Sequence, residues 1–250
     1  MNLHAGVFFT PSAIVTEASS ANDIYLVIDV IRATTSMAVM FDQGAARVLV
    51  AGTIEQAQQA ASIVPGRMLC GERNVQKIPG FDFGNSPTQF AQVDLTGREL
   101  IMTTTNGTRA FYACPEQSTR LAGSLYNAAA VIDRALQLAQ AQSSTSINLV
   151  CSGEFQYFAL DDTVCAGYLA LELQRQCPEI QLRESAMAAI TLYEAYKPPR
   201  VLEIAESALS VYQAGLMDDP PFCMRTSVSS SVPVVVGREA ETGLLVLEKS

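Results

Sequence analysis

The residues with the clearest chemical potential form a polar run between a strand-like segment, Glu99–Met102, and a short helix-like segment. The run consists of Thr103, Thr104, Thr105, Asn106, Gly107 and Thr108. Hydroxyl and amide side chains at a strand-to-helix junction add donors to the backbone N–H groups at a positive helix end, which suits an anion, phosphate above all. For one such loop alone, an ordinary Thr or Asn N-cap is the simpler explanation. Comparable clusters after other strand-like runs favour an anion site.

A second cluster begins where a hydrophobic run ends, at Asp29, and continues through Arg32, Thr34 and Thr35. A carboxylate in this position is costly to bury unless it binds a cation or a hydrogen-bond partner. Arg32 can form a fork onto phosphate or carboxylate, and Thr34 can begin a helix that points at an anion. An Asp29–Arg32 ion pair with a Thr N-cap explains the same residues equally well.

A third cluster follows the run Met68–Cys70. There, Glu72 can supply a metal ligand and Arg73 an anion contact. The chain continues into a turn-rich stretch, in which Ser86 before a proline is typical of an N-cap. Asn85 and Ser86 are therefore either turn and cap residues or contacts to a ligand.

A fourth cluster ends another strand-like run with Ser152 and Gly153, and two adjacent carboxylates, Asp161 and Asp162, precede the next helix. Paired carboxylates at a helix start also suit the helix dipole, so they need no ligand. Together with Asp29 and Glu72, however, Asp161 and Asp162 would form an oxygen cage suited to Mg²⁺.

Several other chemistries are excluded. The single histidine, His4, cannot support triads, histidine-phosphate intermediates or histidine-rich metal sites. Neither the P-loop pattern nor the dinucleotide fingerprint occurs. Cys151 is not a tyrosine-phosphatase nucleophile, because position 157 holds Tyr157 and not the required arginine. The aspartyl-phosphate hydrolase pattern needs a second aspartate where this chain has Ile31, which counts against that family but leaves Asp29 open as a nucleophile.

Composition narrows the class further. The chain has 250 residues, 49% of them hydrophobic and 16% charged, which is typical of a compact globular protein. A net charge of -9 without any Lys/Arg cluster argues against non-specific nucleic-acid binding, which depends on basic groups that neutralise phosphates. There is no signal-peptide pattern and no apolar run of about 20 residues, so we expect no membrane association. Six scattered cysteines fit reduced thiols in a cytoplasmic protein.

The elements that position these clusters alternate along the chain. Strands are predicted near Ala5–Phe9, Ile24–Ile31, Arg47–Ala51, Met68–Cys70, Glu99–Met102, Arg120–Ala122 and Ile147–Cys151. Helices are predicted near Thr34–Gln43, Ile54–Ser62, Pro87–Val93, Thr108–Cys114, Asn127–Gln142 and Thr163–Gln176. The strands are continuous apolar runs, as in strands buried on both faces. This alternation predicts an α/β fold in which a mostly parallel or mixed sheet is flanked by helices in three layers.

After Arg183 the pattern becomes more helical. Helices are predicted at Glu184–Tyr196 and Val201–Gln213, followed by a loop at 218–221 and the valine-rich 232–236. We expect one α/β domain over 1–250, in which 184–250 forms either a C-terminal subdomain or a closing layer. Apolar surface on these helices can mark a homodimer contact or pack on the sheet.

Taken together and in order, the clusters resemble the 2-phosphosulfolactate phosphatase family. The stretches that carry the resemblance are 29–35, 71–73, 80–87, 103–108 and 151–153 with Asp161 and Asp162. The resemblance implies a Mg²⁺-dependent phosphatase that hydrolyses 2-phospho-3-sulfolactate to 3-sulfolactate and phosphate, a step towards coenzyme M in methanogens. Members also occur in organisms that do not make coenzyme M, where related 2-phospho-hydroxyacids become candidate substrates.

For such a reaction the residues receive candidate roles. Candidate Mg²⁺ ligands are Asp29, Glu72, Asp161 and Asp162. Candidate contacts to the phosphate or acid groups are Arg32, Arg73, Thr34, Asn85, Ser86, Thr104, Thr105, Asn106, Gly107, Ser152 and Gly153. Because no histidine is usable, a carboxylate must be the general base or the nucleophile, and Asp29 and Asp162 are both candidates. A lyase or isomerase on the same substrate class, or a phosphometabolite-binding regulator, remains an alternative.

Overall fold

One mixed sheet of eleven strands runs through the part of the chain described by the computed structural model, residues 3–14, 22–155 and 157–250. The strands are β1 (His4–Phe8), β2 (Ile24–Ile28), β3 (Arg47–Val50), β4 (Met68–Arg73), β5 (Gln76–Lys77), β6 (Glu99–Thr103), β7 (Thr119–Gly123), β8 (Ser146–Cys151), β9 (Gln181–Leu182), β10 (Pro233–Arg238) and β11 (Leu245–Lys249). Their order across the sheet is β5-β4-β6-β3-β11-β10-β7-β2-β8-β1-β9.

Helices cover both faces of this sheet. They are α1 (Ala33–Asp42), α2 (Ile54–Ile63), α3 (Pro87–Phe90), α4 (Gly107–Ala113), α5 (Ala128–Gln142), α6 (Leu160–Gln176), α7 (Glu184–Ala195), α8 (Glu206–Gln213) and α9 (Asp219–Cys223). None of those described is long and apolar enough to span a bilayer.

Strand β2 shows how the layers form. Its residues Ile24, Leu26 and Ile28 pack into one hydrophobic cluster, whereas Tyr25 and Val27 pack into the cluster on the other face. Because successive side chains of a strand point to opposite faces, a strand buried on both sides must be apolar throughout. The predicted α/β class and three-layer arrangement are therefore confirmed.

The sheet consists of two parallel halves that run in opposite directions. On one side β4, β6 and β3 are parallel, and on the other β7, β2, β8 and β1 are parallel. The hairpin of β10 and β11 lies between β3 and β7, and all three pairings across it are antiparallel. The C-terminal part of the chain thus supplies both outer helices and the centre of the sheet.

Two C-terminal predictions are corrected. The helix predicted at Val201–Gln213 is a 3-10 turn at Arg200–Glu203 followed by α8, because Ala205 is extended and Glu206 begins a new first turn. The loop predicted at 218–221 contains the start of α9, since proline is favoured at the first helical positions, where no backbone N–H partner is needed.

Candidate active site

A cavity of about 430 Å³ opens where the predicted clusters converge. Three carboxylates, Asp29, Glu72 and Glu154, and one guanidinium, Arg32, line it. The rest of its polar wall is neutral and comprises Asn74, Gln76, Asn85, Thr105, Asn106, Ser207, Ser210 and Gln213. Helix α8, in the segment where the sequence shows no motif, therefore forms one complete wall of the site.

Asp29 lies directly after β2, and its backbone and carboxylate are both fixed. Its Oδ1 accepts a hydrogen bond from the Ala33 N–H at 3.1 Å, and its backbone is bonded to Thr34 through both N–H and C=O. Thr34 is thus a support for Asp29 and does not line the cavity. A Cβ at Gly107 would lie 2.5 Å from Asp29 Oδ2, so this oxygen rests against the bare Cα of the first residue of α4.

The Asp29 carboxyl has a pKa raised to about 6. Burial is the main cause, and the negative charges of Glu72 and Asp161 add to it, while the Ala33 N–H and the Arg32 charge act in the opposite direction. A carboxylate with this pKa is ionised at neutral pH yet holds a proton more strongly than a surface aspartate does. That property suits a general base.

Glu72 fixes the polar loop after β6. Its Oε1 accepts from the Thr105 N–H at 2.7 Å, and its Oε2 accepts from the Val75 N–H at 2.9 Å and from the Thr105 hydroxyl at 3.1 Å. Both oxygens are therefore engaged with the protein. Arg73 lies outside the cavity lining and donates to the Glu72 carbonyl and to Thr103 Oγ1.

The predicted polar run divides into residues that close the turn before α4 and residues that line the cavity. Thr104 and Thr108 bond to each other through hydroxyl and backbone groups, closing the turn that starts α4. Thr105 and Asn106 line the cavity. Asn106 donates to Glu154 Oε2 at 3.1 Å and accepts from the Phe155 N–H at 3.1 Å, which joins this loop to the one after β8.

Arg32 does not pair with Asp29. Its Nη1 donates to Asp219 Oδ2 at 3.0 Å and its Nη2 to the Val75 carbonyl at 3.0 Å, and only 3% of the residue is exposed. Ser86 also bonds to Asp219, from its hydroxyl to Oδ1 at 2.7 Å, and caps α3 at the same time. Sequence reasoning missed Asp219, which lies in the segment without any matching motif.

Asp161 and Asp162 both lie in the first turn of α6, but outside this cavity. Asp162 accepts from the Val30 N–H at 2.9 Å and from the Gly153 N–H at 3.1 Å, so it ties together the chain ends after β2 and β8. Asp161 lines a smaller neighbouring cavity of about 160 Å³ that also touches Glu154. Burial raises the pKa of both carboxyls, most strongly that of Asp162.

Ser152 and Gly153 are buried after β8 and lie beside, not in, the main cavity. Ser152 lines a separate cavity of about 230 Å³ on the far side of Asn106. Asn85 lies in the main cavity, and its buried Oδ1 has no hydrogen-bond partner among the described residues. A buried oxygen acceptor without a donor is costly, so Asn85 Oδ1 points to a bound cation or donor.

Glu154 is the second candidate site residue to which sequence reasoning gave no role. It follows Gly153, lines both the main and the smaller cavity, and has a pKa raised to about 7, chiefly by burial and then by the charges of Asp29, Asp161 and Glu72. Its position directly after a strand-end glycine was the available signal. At neutral pH this carboxyl is about half protonated and can donate a proton.

The arrangement also bears on metal binding. Among the described residues no three carboxylate, cysteine or histidine side chains form a ready metal cluster, so the four acids of the predicted cage are not gathered around one point. Two oxygens of the main cavity suit a cation: Asp29 Oδ2, and Asn85 Oδ1, which has no donor among the described residues. This donor set fits Mg²⁺, which is often held by one or two carboxylates plus water and substrate oxygens.

The chain is similar in sequence to a known protein family and to named proteins of several bacteria. The family model described as 2-phosphosulpholactate phosphatase matches residues 8–238. The chain belongs to this family. It is 36% identical over 221 residues to a Thermus thermophilus protein named probable 2-phosphosulfolactate phosphatase, covering 88% of this chain and 90% of the relative. Proteins of the same name from Deinococcus radiodurans and Clostridium acetobutylicum are 35% and 29% identical. They cover 89% and 88% of this chain and 92% of each relative.

The family match covers every residue that lines the main cavity, and also Asp219 in α9, which bonds to Arg32 from behind it. Family membership makes this chain a relative of phosphoric monoester hydrolases, and the cavity holds carboxyl, guanidinium, amide and hydroxyl groups.

Proposed function

We propose that this protein is a Mg²⁺-dependent phosphatase that hydrolyses 2-phospho-3-sulfolactate, or a closely related 2-phospho-hydroxyacid, to the hydroxyacid and inorganic phosphate. The observation that carries the proposal is the convergence of Asp29, Arg32 and Glu154 on one cavity in a chain that matches the family model over most of its length. Each of the three provides a function that hydrolysis of a phosphate ester needs.

The charge of the cavity supports a cation. Three carboxylates and one guanidinium face the space, so a substrate with phosphate, carboxylate and sulfonate groups meets a net negative wall. A divalent cation reverses this local field. Asp29 and Asn85 would hold Mg²⁺, which when bound neutralises phosphoryl oxygens and orients the group for in-line displacement.

Asp29 and Glu154 take part in different proton transfers. Asp29 accepts a proton from the attacking water while the water oxygen forms its bond to phosphorus. As the ester P–O bond breaks, Glu154 donates a proton to the leaving oxygen, which would otherwise depart as a strongly basic alkoxide. In the metal-free protein Glu154 has the higher pKa of the two, which favours it as the acid and leaves Asp29 as the base.

The neutral wall of α8 suits the remaining acid groups of the substrate. Ser207, Ser210 and Gln213 offer hydroxyl and amide donors without charge. A sulfonate is ionised at every physiological pH and needs donors but no proton transfer. Arg32 supplies the one positive charge for the phosphate or carboxylate.

The test is phosphate release from a panel that includes phosphosulfolactate, phospholactate and phosphoglycerate, with and without Mg²⁺. Mg²⁺-dependent release that is fastest with phosphosulfolactate supports the proposal in full. Preference for another panel member keeps the chemistry and changes the substrate. Loss of substrate without phosphate release indicates a lyase or isomerase, and saturable binding without turnover indicates a regulatory protein.

A cytoplasmic location and a homodimer also stay proposals. All six cysteines are free thiols, five of them buried, which fits a reducing compartment. Light scattering after size-exclusion chromatography measures the oligomeric state directly.

A further inference from the structure

Arg32 lies near two buried carboxylates, Asp29 and Asp219, but it bonds only to Asp219. Asp219 holds Nη1 at 3.0 Å, whereas Asp29 only senses the guanidinium as a nearby positive charge. Both acids are almost fully buried, and an unpaired buried charge is strongly destabilising. An Arg32 without Asp219 would therefore be stabilised by moving to pair with Asp29. Whether Arg32 stays away from Asp29 therefore depends on Asp219.

Asp219 is itself held on its other side. Its Oδ1 accepts hydrogen bonds from the hydroxyls of Ser86 at 2.7 Å and Thr88 at 2.5 Å, and 1% of the residue is exposed. The carboxylate therefore uses one oxygen for the start of α3 and the other for Arg32. These contacts join residues that lie 187, 133 and 131 positions apart in the chain.

The position of Arg32 is also fixed from a third direction. Its Nη2 donates to the Val75 carbonyl, and the Val75 N–H donates to Glu72. The guanidinium fork is thus pinned at both terminal nitrogens while the residue lines the cavity. Because both terminal nitrogens of the planar guanidinium are fixed, the group has a single orientation. The N–H groups that do not bond to Asp219 or Val75 are the ones that remain for an anion.

We propose that Asp219 is a positioning residue that keeps Arg32 directed at the substrate anion and prevents its collapse onto Asp29. The proposal rests on the proposed function only in taking Arg32 as an anion contact. Without the negative charge of Asp219, Arg32 pairs with Asp29, and this pairing removes both the anion contact and the free base at once.

The test uses binding of inorganic phosphate in the presence of MgCl₂, measured by isothermal titration calorimetry, together with kcat and KM. Asp219→Asn keeps the shape but loses the charge, and we expect phosphate to bind about tenfold more weakly. Arg32→Gln should weaken phosphate binding at least as much. In the Arg32→Gln background, Asp219→Asn should add no further loss, because it acts through Arg32.

A matched control exists on the opposite end of β4. The buried ion pair between Arg67 and Glu239 has 4% and 7% exposed side chains and does not line the cavity. Glu239→Gln removes a buried charge of the same kind, so it should lower the melting temperature and leave the Kd for phosphate unchanged. If Asp219→Asn behaves like Glu239→Gln, Asp219 is merely structural and the proposal is wrong.

A second variant covers the case in which Asp219→Asn does not fold. Thr88→Val removes one hydroxyl from Asp219 Oδ1 and leaves the charge in place, so phosphate binding should weaken in the same direction by a factor of about two to three. Unchanged binding in this variant, or additive losses in the double variant, contradicts the proposal. Because phosphate binding needs no turnover, a failed substrate panel overturns the proposed function without deciding this inference.

Discussion

Asp29 and Gly107 are so close that no side chain can be placed between them. A Cβ at position 107 would lie 2.5 Å from Asp29 Oδ2 and 2.8 Å from the Ala33 Cβ. Atoms at these distances overlap, so a residue larger than glycine must displace the carboxylate or the start of α4. The glycine is required here for space.

Gly107→Ala should therefore reduce activity with little loss of fold. Moving a reacting carboxylate by about 1 Å costs roughly 100-fold in rate, and we expect a kcat loss of that order. Gly123→Ala is the matched control, since its added methyl would meet Leu169 at an ordinary 3.5 Å. Comparable kcat values for the two variants would show that Asp29 tolerates displacement.

The pH dependence should show an alkaline limit set by Glu154. Activity should fall as pH rises above about 7, because the acid form of Glu154 is lost. Glu154→Gln cannot donate the proton, so its remaining activity should lack this limb. The measurement is kcat over pH 5–9 at saturating Mg²⁺. A variant with the same alkaline limb as wild type would assign the limb to another group.

The ionised carboxylate of Asp29 should lower the free energy of unfolding of the metal-free protein at neutral and higher pH. Its folded pKa of about 6 exceeds the ordinary 3.8, so the folded state holds the proton longer than the unfolded state does. The resulting stabilisation is complete below about pH 4 and is lost as pH rises through 6. Asp29→Asn removes this destabilisation, and in EDTA at pH 8 the variant should be more stable than wild type by about 3 kcal/mol.

Chemical denaturation at pH 4 and at pH 8 provides the comparison for Asp29→Asn. The variant should gain stability over wild type only at the higher pH, although its turnover should be abolished. If the variant and wild type were equally stable at pH 8 as well as at pH 4, the Asp29 carboxyl would lie in a more polar environment than its burial indicates.

Removal of Mg²⁺ should silence the enzyme and also change its stability. We expect EDTA to abolish phosphate release and added Mg²⁺ to restore it. A bound cation stabilises the folded state, so Mg²⁺ should raise the melting temperature of wild type at pH 8. Asp29→Asn should lose most of this increase. Turnover without metal would contradict the proposed role of the cation.

The elements around the site could be predicted because their signals are local. Continuous apolar runs identified β2, β6 and β8, and the polar residues that end them do surround the site. The direction of each half of the sheet could not be predicted, because the reversal depends on β10 and β11, whose pairing partners lie more than 100 residues away in β3 and β7. Sequence periodicity carries no information about such partners.

The separate roles of the acids could not be predicted for a related reason. Asp162 and Asp29 look alike as strand-end or helix-start carboxylates. They differ only in what reaches them: Asp162 accepts two backbone N–H groups from loops that are 132 and 9 residues away, whereas Asp29 keeps an oxygen free. Asp219 presents the same difficulty, since its importance depends on Arg32, 187 residues earlier.

The central hairpin has a consequence for how the chain is made. Strands β10 and β11 leave the ribosome after all the other described strands, yet they separate the two parallel halves and pair with both. Until residues 233–249 emerge, β3 and β7 have no neighbour on their inner edges, and exposed strand edges invite pairing with other chains. The nascent protein therefore depends on residues 233–249 to join two otherwise separate half-sheets, and synthesis that stops before this hairpin leaves a chain prone to aggregate.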